Sequence, residues 1–200
     1  MLGSLIKYRD MFAYDIHSFD TVSSTNDIVK QAIRDGCKPG FVAVAKSQEL
    51  GHGMRGRTWV SPYGGLYMSI CAKPKCREAD LPNITRPIGI CIKDVLQEFS
   101  SKELAIKEPN DVVLAGSFDI PHKLVGISTE FLQNCLCLGI GVNVFNLSNN
   151  VYNVSKIECE DKRNVPVYLS DIAKENKLLT LTLIRNKILY ALRDKLDIWQ

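Results

Sequence analysis

The 200-residue sequence has no apolar run near the roughly 20 residues that a membrane-crossing helix needs, which excludes a spanning helix. It has no run of five or more basic residues, and its formal charge is only +3. That balance suits a local phosphate site and argues against a surface that coats nucleic acid. The opening stretch, M-L-G-S-L-I-K-Y-R-D, is too short and too polar for a signal-peptide core. The cysteines number seven, an odd count. Cys71 and Cys76 lack a second pair or a nearby histidine, so no zinc site and no structural metal are expected. Cys135 and Cys137 alternate along an apparent strand and read as core thiols. These features together point to free thiols in a reducing cytoplasm. Internal repeats and low-complexity segments are also missing.

What is present suits one domain over residues 1–200. A hydrophobic content of 46% is enough to bury a substantial core. A short strand is expected at 16–21. Ser23, Ser24 and Thr25 offer caps for a helix to about residue 35, with Ile28, Val29, Ala32 and Ile33 on one face and Gly36 as its stop. Strands are expected at 41–46 and 66–72, then a helix at 88–100 with Pro87 near its first turn. Further strands are expected at 104–107, 111–114, 123–131 and 135–145, the middle two pairing as a hairpin. Residues 147–166 read as a long polar loop. Residues 180–199 carry Leu181, Ile184, Ile188, Leu192 and Leu196 at helical spacing. The pattern gives an α+β fold, a mixed β-sheet packed with helices.

Residues 51–62 read G-H-G-M-R-G-R-T-W-V-S-P. Gly51, Gly53 and Gly56 permit positive φ and close approach to a ligand. Arg55 and Arg57 bring charge for an anion, Trp59 a flat apolar wall, and the loop's N–H groups an anion-binding concavity. By itself such a loop is also common as a plain surface turn. Around it, in order, stand S-S-T-N at 23–26, Gln48, G-G-L-Y-M-S at 64–69, K-E-P-N-D at 107–111, K-L-V-G-I at 123–127 and G-I-G-V-N-V at 139–144.

In this order the set resembles the catalytic domain of biotin protein ligases, from about residue 19 to 145. The resemblance implies a class II aminoacyl-tRNA synthetase/biotin ligase-like fold. It also implies a two-step reaction: biotin and ATP give biotinyl-5'-AMP, and biotin then passes to a lysine of a carboxylase carrier domain. Biotin, ATP with Mg²⁺ and a biotin carboxyl carrier protein are the implied partners, with neither nucleic acid nor membrane. A homodimer is expected because related domains often pair through their sheets. By the same resemblance, Ser24, Thr25, Asn26, Gln48, Gly51, His52, Gly53, Met54, Trp59, Lys123, Gly126 and Gly139 form the biotin site. Arg55, Arg57, Lys107, Asn110, Asp111 and Asn143 form the nucleotide site. Lys123 is the catalytic cation, and Asp111 is a ligand for Mg²⁺. The DNA-binding domain that some members carry before this region, and the SH3-like domain that many carry after it, are both expected to be absent.

The sequence departs from the family pattern in two places. The usual G-R-G-R-x-G-R is here changed by His52 and Met54 at its first two arginines, with Arg55 at the variable position and Arg57 kept. The usual K-W-P-N-D has Glu108 in place of tryptophan. These changes, with the expected lack of the SH3-like domain, leave one alternative beside the ligase, a catalytically impaired biotin-binding protein of the same fold; the fold that the resemblance shares with lipoate-attaching enzymes leaves a second, a ligase for another acid such as lipoate.

Overall fold

The computed structural model describes residues 14–53, 56–74, 81–117, 120–147 and 164–196, and all their side chains except those at 81–83 and 194–196. The chain runs β1 (Asp15–Val22), α1 (Thr25–Arg34), β2 (Phe41–Gln48), β3 (Leu66–Ala72), α2 (Leu81–Gln97), β4 (Leu104–Lys107), β5 (Asp111–Leu114), β6 (His122–Leu132), β7 (Cys135–Val142), β8 (Val165–Pro166), a 3₁₀ turn (Leu169–Ile172) and α3 (Leu181–Leu196). The strands form one mixed sheet in the order β1-β2-β3-β7-β6-β5-β4, with β8 added along β6. β1 with β2 and β6 with β8 are parallel pairs; the other neighbours are antiparallel.

Period-two alternation sorts the two faces of this sheet. Val42 on β2, Met68 and Ile70 on β3, and Leu138 and Ile140 on β7 join the main core. There α2 and α3 cover them with Ile88, Ile92, Leu96, Ile184, Ile188 and Leu192. The intervening residues face the other way. Ala43, Cys71 and Cys137 form a smaller cluster under Val29 and Ile33 of α1. Cys135 packs on this cluster as expected of a core thiol, and Cys71 and Cys137 face each other across β3 and β7. Helix α1 covers only part of this second face, which leaves room beside it.

Three elements differ from the sequence expectations. Helix α2 starts at Leu81 and ends at Gln97, so Pro87 lies inside it. Pro87 is on the exposed side of the helix, where the carbonyl its missing N–H leaves unbonded can be hydrated. Strand β7 stops at Val142, because Asn143 and Phe145 turn aside to bond Leu124 O and Gly64 O. The expected loop at 147–166 ends in a two-residue strand, Val165–Pro166, and its residues 148–163 lie outside the described ones.

Candidate active site

The uncovered part of the second face holds a cavity of about 540 Å³. Its floor is polar and buried. Ser24 caps α1, its Oγ accepting Asn26 N–H at 3.2 Å. That cap sets the first helical turn so that Thr25 and Asn26 project over the sheet. Thr25 N–H donates to Gln48 Oε1 at 2.8 Å, which fixes which end of the Gln48 amide faces it. Gln48 Nε2 then donates to Ser61 Oγ at 2.8 Å. Thr25 Oγ1 lies 3.0 Å from Gln48 Oε1 and 2.7 Å from Ser69 Oγ, while Ser69 donates to Asn26 Oδ1 at 2.6 Å. Asn26 Nδ2 completes the chain with Ser128 Oγ at 3.0 Å.

Three of these oxygen–oxygen contacts share only the two hydroxyl hydrogens of Thr25 and Ser69. The floor therefore has more acceptor capacity than donors. Gly139 sits against it: a Cβ there would come 2.3 Å from Asn26 Oδ1 and 2.4 Å from Ser128 Oγ.

One wall is an aromatic slot. Gly126 on β6 and Gly141 on β7 are register partners, and the Trp59 ring lies on the surface they clear. A Cβ at Gly126 would meet Trp59 Cζ3 at 2.6 Å, and one at Gly141 would meet Nε1 at 2.5 Å. Trp59 Nε1 is buried without a hydrogen-bond partner. Trp59 itself belongs to a hairpin built on residues 48–61. Gln48 bridges Ser61, Trp59 N–H donates to Gly51 O at 2.8 Å, and His52 bridges Thr58. Ser61 Oγ donates to Trp59 O at 3.0 Å, so the hydroxyl that holds Gln48 also holds the backbone of the aromatic wall.

The cationic end is Lys123. Its Nζ is 5.0 Å from the Trp59 ring centroid and 2.8 Å from Asp111 Oδ1. Both side chains are largely buried, at 14% and 9% exposure, so the pair holds the ammonium in place in a weakly screened setting. No directional hydrogen bond aligns with Asp111 Oδ1, and the ion pair is its partner. Asn110 Nδ2 donates to Ile127 O, and Asn143 Nδ2 to Lys123 O at 3.1 Å. Both amides thus brace β6 where it passes the cavity.

Most of the residues singled out in the sequence meet here. Ser24, Thr25, Asn26 and Gln48 line the floor; His52, Gly53, Arg57 and Trp59 line the hairpin side. Asn110, Lys123, Gly126, Gly139 and Asn143 line the sheet side. Three stand one layer back. Gly51 is buried behind the wall, where a Cβ would be 2.3 Å from Trp59 O. Asp111 lies behind Lys123. Lys107 turns to Asn164, donating to Oδ1 at 2.8 Å. Met54 and Arg55 lie outside the described residues. Sequence reasoning missed Ser61, Ser69, Ser128 and Gly141. The signal for Ser69 was present, a lone serine inside the largely apolar strand Leu66–Ala72.

Comparison with known proteins fits this geometry. The sequence profile of the biotin/lipoate A/B protein ligase family matches residues 18–144. The chain belongs to that family. It is 30% identical over 129 residues to the bifunctional ligase/repressor BirA of Salmonella typhimurium, which covers 62% of this chain and 38% of the relative. It is 31% identical over 108 residues to the biotin–[acetyl-CoA-carboxylase] ligase of Paracoccus denitrificans, covering 50% and 43%. The chain thus spans only about two fifths of these curated relatives. Among solved structures, the biotin protein ligase of Aquifex aeolicus in complex with biotin and ATP superposes with a TM-score of 0.73 at 27% identity, covering 93% of this chain and 71% of that one. The Leishmania major enzyme in complex with biotinyl-5-AMP shares the fold, with a TM-score of 0.68 at 24% identity over 92% and 76%.

For this member of the biotin/lipoate ligase family, the structure also accounts for Glu108. Its carboxylate turns onto α2, where Oε1 accepts from Arg86 Nε at 2.6 Å, and it does not line the cavity. A negative charge at that position is therefore neutralised away from an anionic ligand.

The buried floor makes a stability prediction. Ser69 is fully buried. Ser69→Ala leaves Asn26 Oδ1 without its donor, a loss of about 1–3 kcal/mol. Differential scanning should show a melting temperature lower by roughly 2–10 °C.

Proposed function

We propose that the chain carries the catalytic domain of an ATP-dependent biotin protein ligase. The observation that carries this reading is the sequence of groups along one cavity. A donor-poor polar floor at Thr25, Asn26 and Gln48 leads past the Trp59 slot to the Lys123 ammonium. A ureido ring brings N–H donors to the floor, its apolar chain lies along the indole, and its carboxylate reaches the cation.

In the first step a carboxylate oxygen of biotin attacks the α-phosphorus of ATP. The bond from that phosphorus to the β-phosphate bridging oxygen breaks, and pyrophosphate leaves. Both reactants are anions. Lys123, already fixed by Asp111, uses its remaining N–H donors to offset their repulsion as charge concentrates between them. Arg57, on the cavity wall, adds positive charge on the hairpin side. Mg²⁺ arrives as part of the nucleotide substrate. Asp111, its expected ligand, is 6% exposed and committed to Lys123, so the protein presents no open carboxylate for the ion there. In the second step a lysine of a carboxylase carrier domain attacks the acyl carbon and AMP leaves.

Biotin-dependent exchange of pyrophosphate into ATP tests this reading. Folded protein that gives no exchange with biotin, ATP and Mg²⁺ overturns it. Running lipoate beside biotin separates the two acids. The archaeal lipoate protein ligase that superposes at 12% identity is a likeness of fold alone.

Position 54 carries a separate prediction, made from the sequence motif alone. The methionine at position 54 cannot make the bidentate, charge-assisted phosphate contact that an arginine makes. Met54→Arg should slow release of biotinyl-5'-AMP roughly ten-fold, as read by chasing preformed adenylate. Equal off-rates for parent and variant would show that another group already fills the role.

A further inference from the structure

Transfer of an acyl group from an adenylate to an amine releases a proton as the new C–N bond forms. A group that takes this proton must face the cavity and hold a lone pair near neutral pH. No aspartate or glutamate is found among the described lining residues. Lys123 is an ammonium held by Asp111, and Arg57 is a permanent cation. His52 remains. It lies on the rim of the cavity at 44% side-chain exposure, within reach of solvent. The other described histidines, His17 and His122, lie away from the cavity.

The surroundings of His52 orient it for this task. Its Nε2 is 3.1 Å from Asp27 Oδ2. An ionised carboxylate only accepts, so Nε2 carries the hydrogen and Nδ1 holds the lone pair. Asp27 is the third residue of α1, and Lys30 Nζ holds its Oδ1 at 3.2 Å. Lys30 is in turn 3.2 Å from Glu130 on β6. Partial burial opposes the Asp27 charge, but the hydrogen bonds from Lys30 and His52 outweigh it and hold the carboxyl below its usual range. A fixed carboxylate on one imidazole nitrogen sets the tautomer and stabilises the imidazolium when the other nitrogen takes a proton.

We infer that His52, oriented by Asp27, is the general base of the acyl-transfer step. This inference rests on the ligase reading above. The amine nitrogen of the acceptor lysine attacks the acyl carbon, and the bond from that carbon to the phosphate oxygen breaks. AMP leaves with the electron pair. The proton lost by the amine nitrogen moves to His52 Nδ1, and the imidazolium later returns it to solvent.

The test uses single turnovers of enzyme-bound adenylate with two nucleophiles, Nα-acetyl-lysine amide and hydroxylamine. Hydroxylamine is weakly basic and attacks without help, so it reports access to the adenylate and the state of the fold. The amine reports the same plus proton removal. His52→Gln should slow the amine on the order of 10²-fold relative to hydroxylamine. Asp27→Asn should slow it in the same sense by a smaller factor. A change that is equal for both nucleophiles, or no change, overturns the role of His52. So does parent protein that passes biotin to hydroxylamine but not to the amine. Parent protein that forms no adenylate sinks the ligase reading, and this inference with it.

Discussion

Lys123→Ala should lower the proposed biotin-dependent ATP–pyrophosphate exchange on the order of 10²- to 10³-fold, the loss expected when a fixed donor at developing charge is removed. Biotin affinity falls less than turnover, because the ammonium matters most as charge concentrates at the α-phosphate. The variant is also less stable. Asp111, at 9% side-chain exposure, loses its counter-ion, and stranding one partner of such a pair costs on the order of 3 kcal/mol. A second substitution separates the two effects. Lys123→Ala with Asp111→Asn should regain most of the lost melting temperature and none of the exchange. Recovery of exchange in the double variant would show that Lys123 serves only to neutralise Asp111. Near-normal exchange by Lys123→Ala alone would remove it from the chemistry.

Gly141→Ala should weaken the proposed biotin binding roughly ten- to a hundred-fold in calorimetry, the equivalent of an overpacking strain of about 1–3 kcal/mol. The new methyl would fall 2.5 Å from Trp59 Nε1, so the indole must leave its slot. Trp59 cannot shift alone, because its carbonyl is held by Ser61, which also holds Gln48. The strain therefore reaches the polar floor. A different glycine supplies the comparison. Gly89→Ala, in α2 on the other side of the sheet, meets Ile106 Cδ1 at an ordinary 3.4 Å. It should leave biotin affinity unchanged and add slightly to helix stability. Equal biotin affinity in Gly141→Ala and the parent would show that the acyl chain does not use the Trp59 wall.

The sequence by itself determined the local devices. The Ser24 cap, the Gly36 stop, the period of two in β7 and the period of 3.6 in α3 are each set by near neighbours, so they are legible within a few residues. The ordered motifs also singled out Lys123, Trp59 and the Gln48–Thr25–Asn26 group, which the fold gathers at one cavity. The start of α2 was not legible, because a proline signals an early helical position and its tolerance at an exposed interior position depends on solvent. The rest of the site came from register and packing. Periodicity says which residues share a face, but not which strand lies beside which, and a slip of one residue would reverse every side chain. Only the alignment of β6 with β7 sets Gly126 opposite Gly141 and opens the slot for Trp59. Only the fold brings Ser69 and Ser128 to Asn26, Arg86 to Glu108, Asp111 to Lys123 and Asp27 to His52. These pairs are distant in sequence or lie on separate elements. Their charges and hydroxyls are therefore matched by tertiary packing, which no local pattern records.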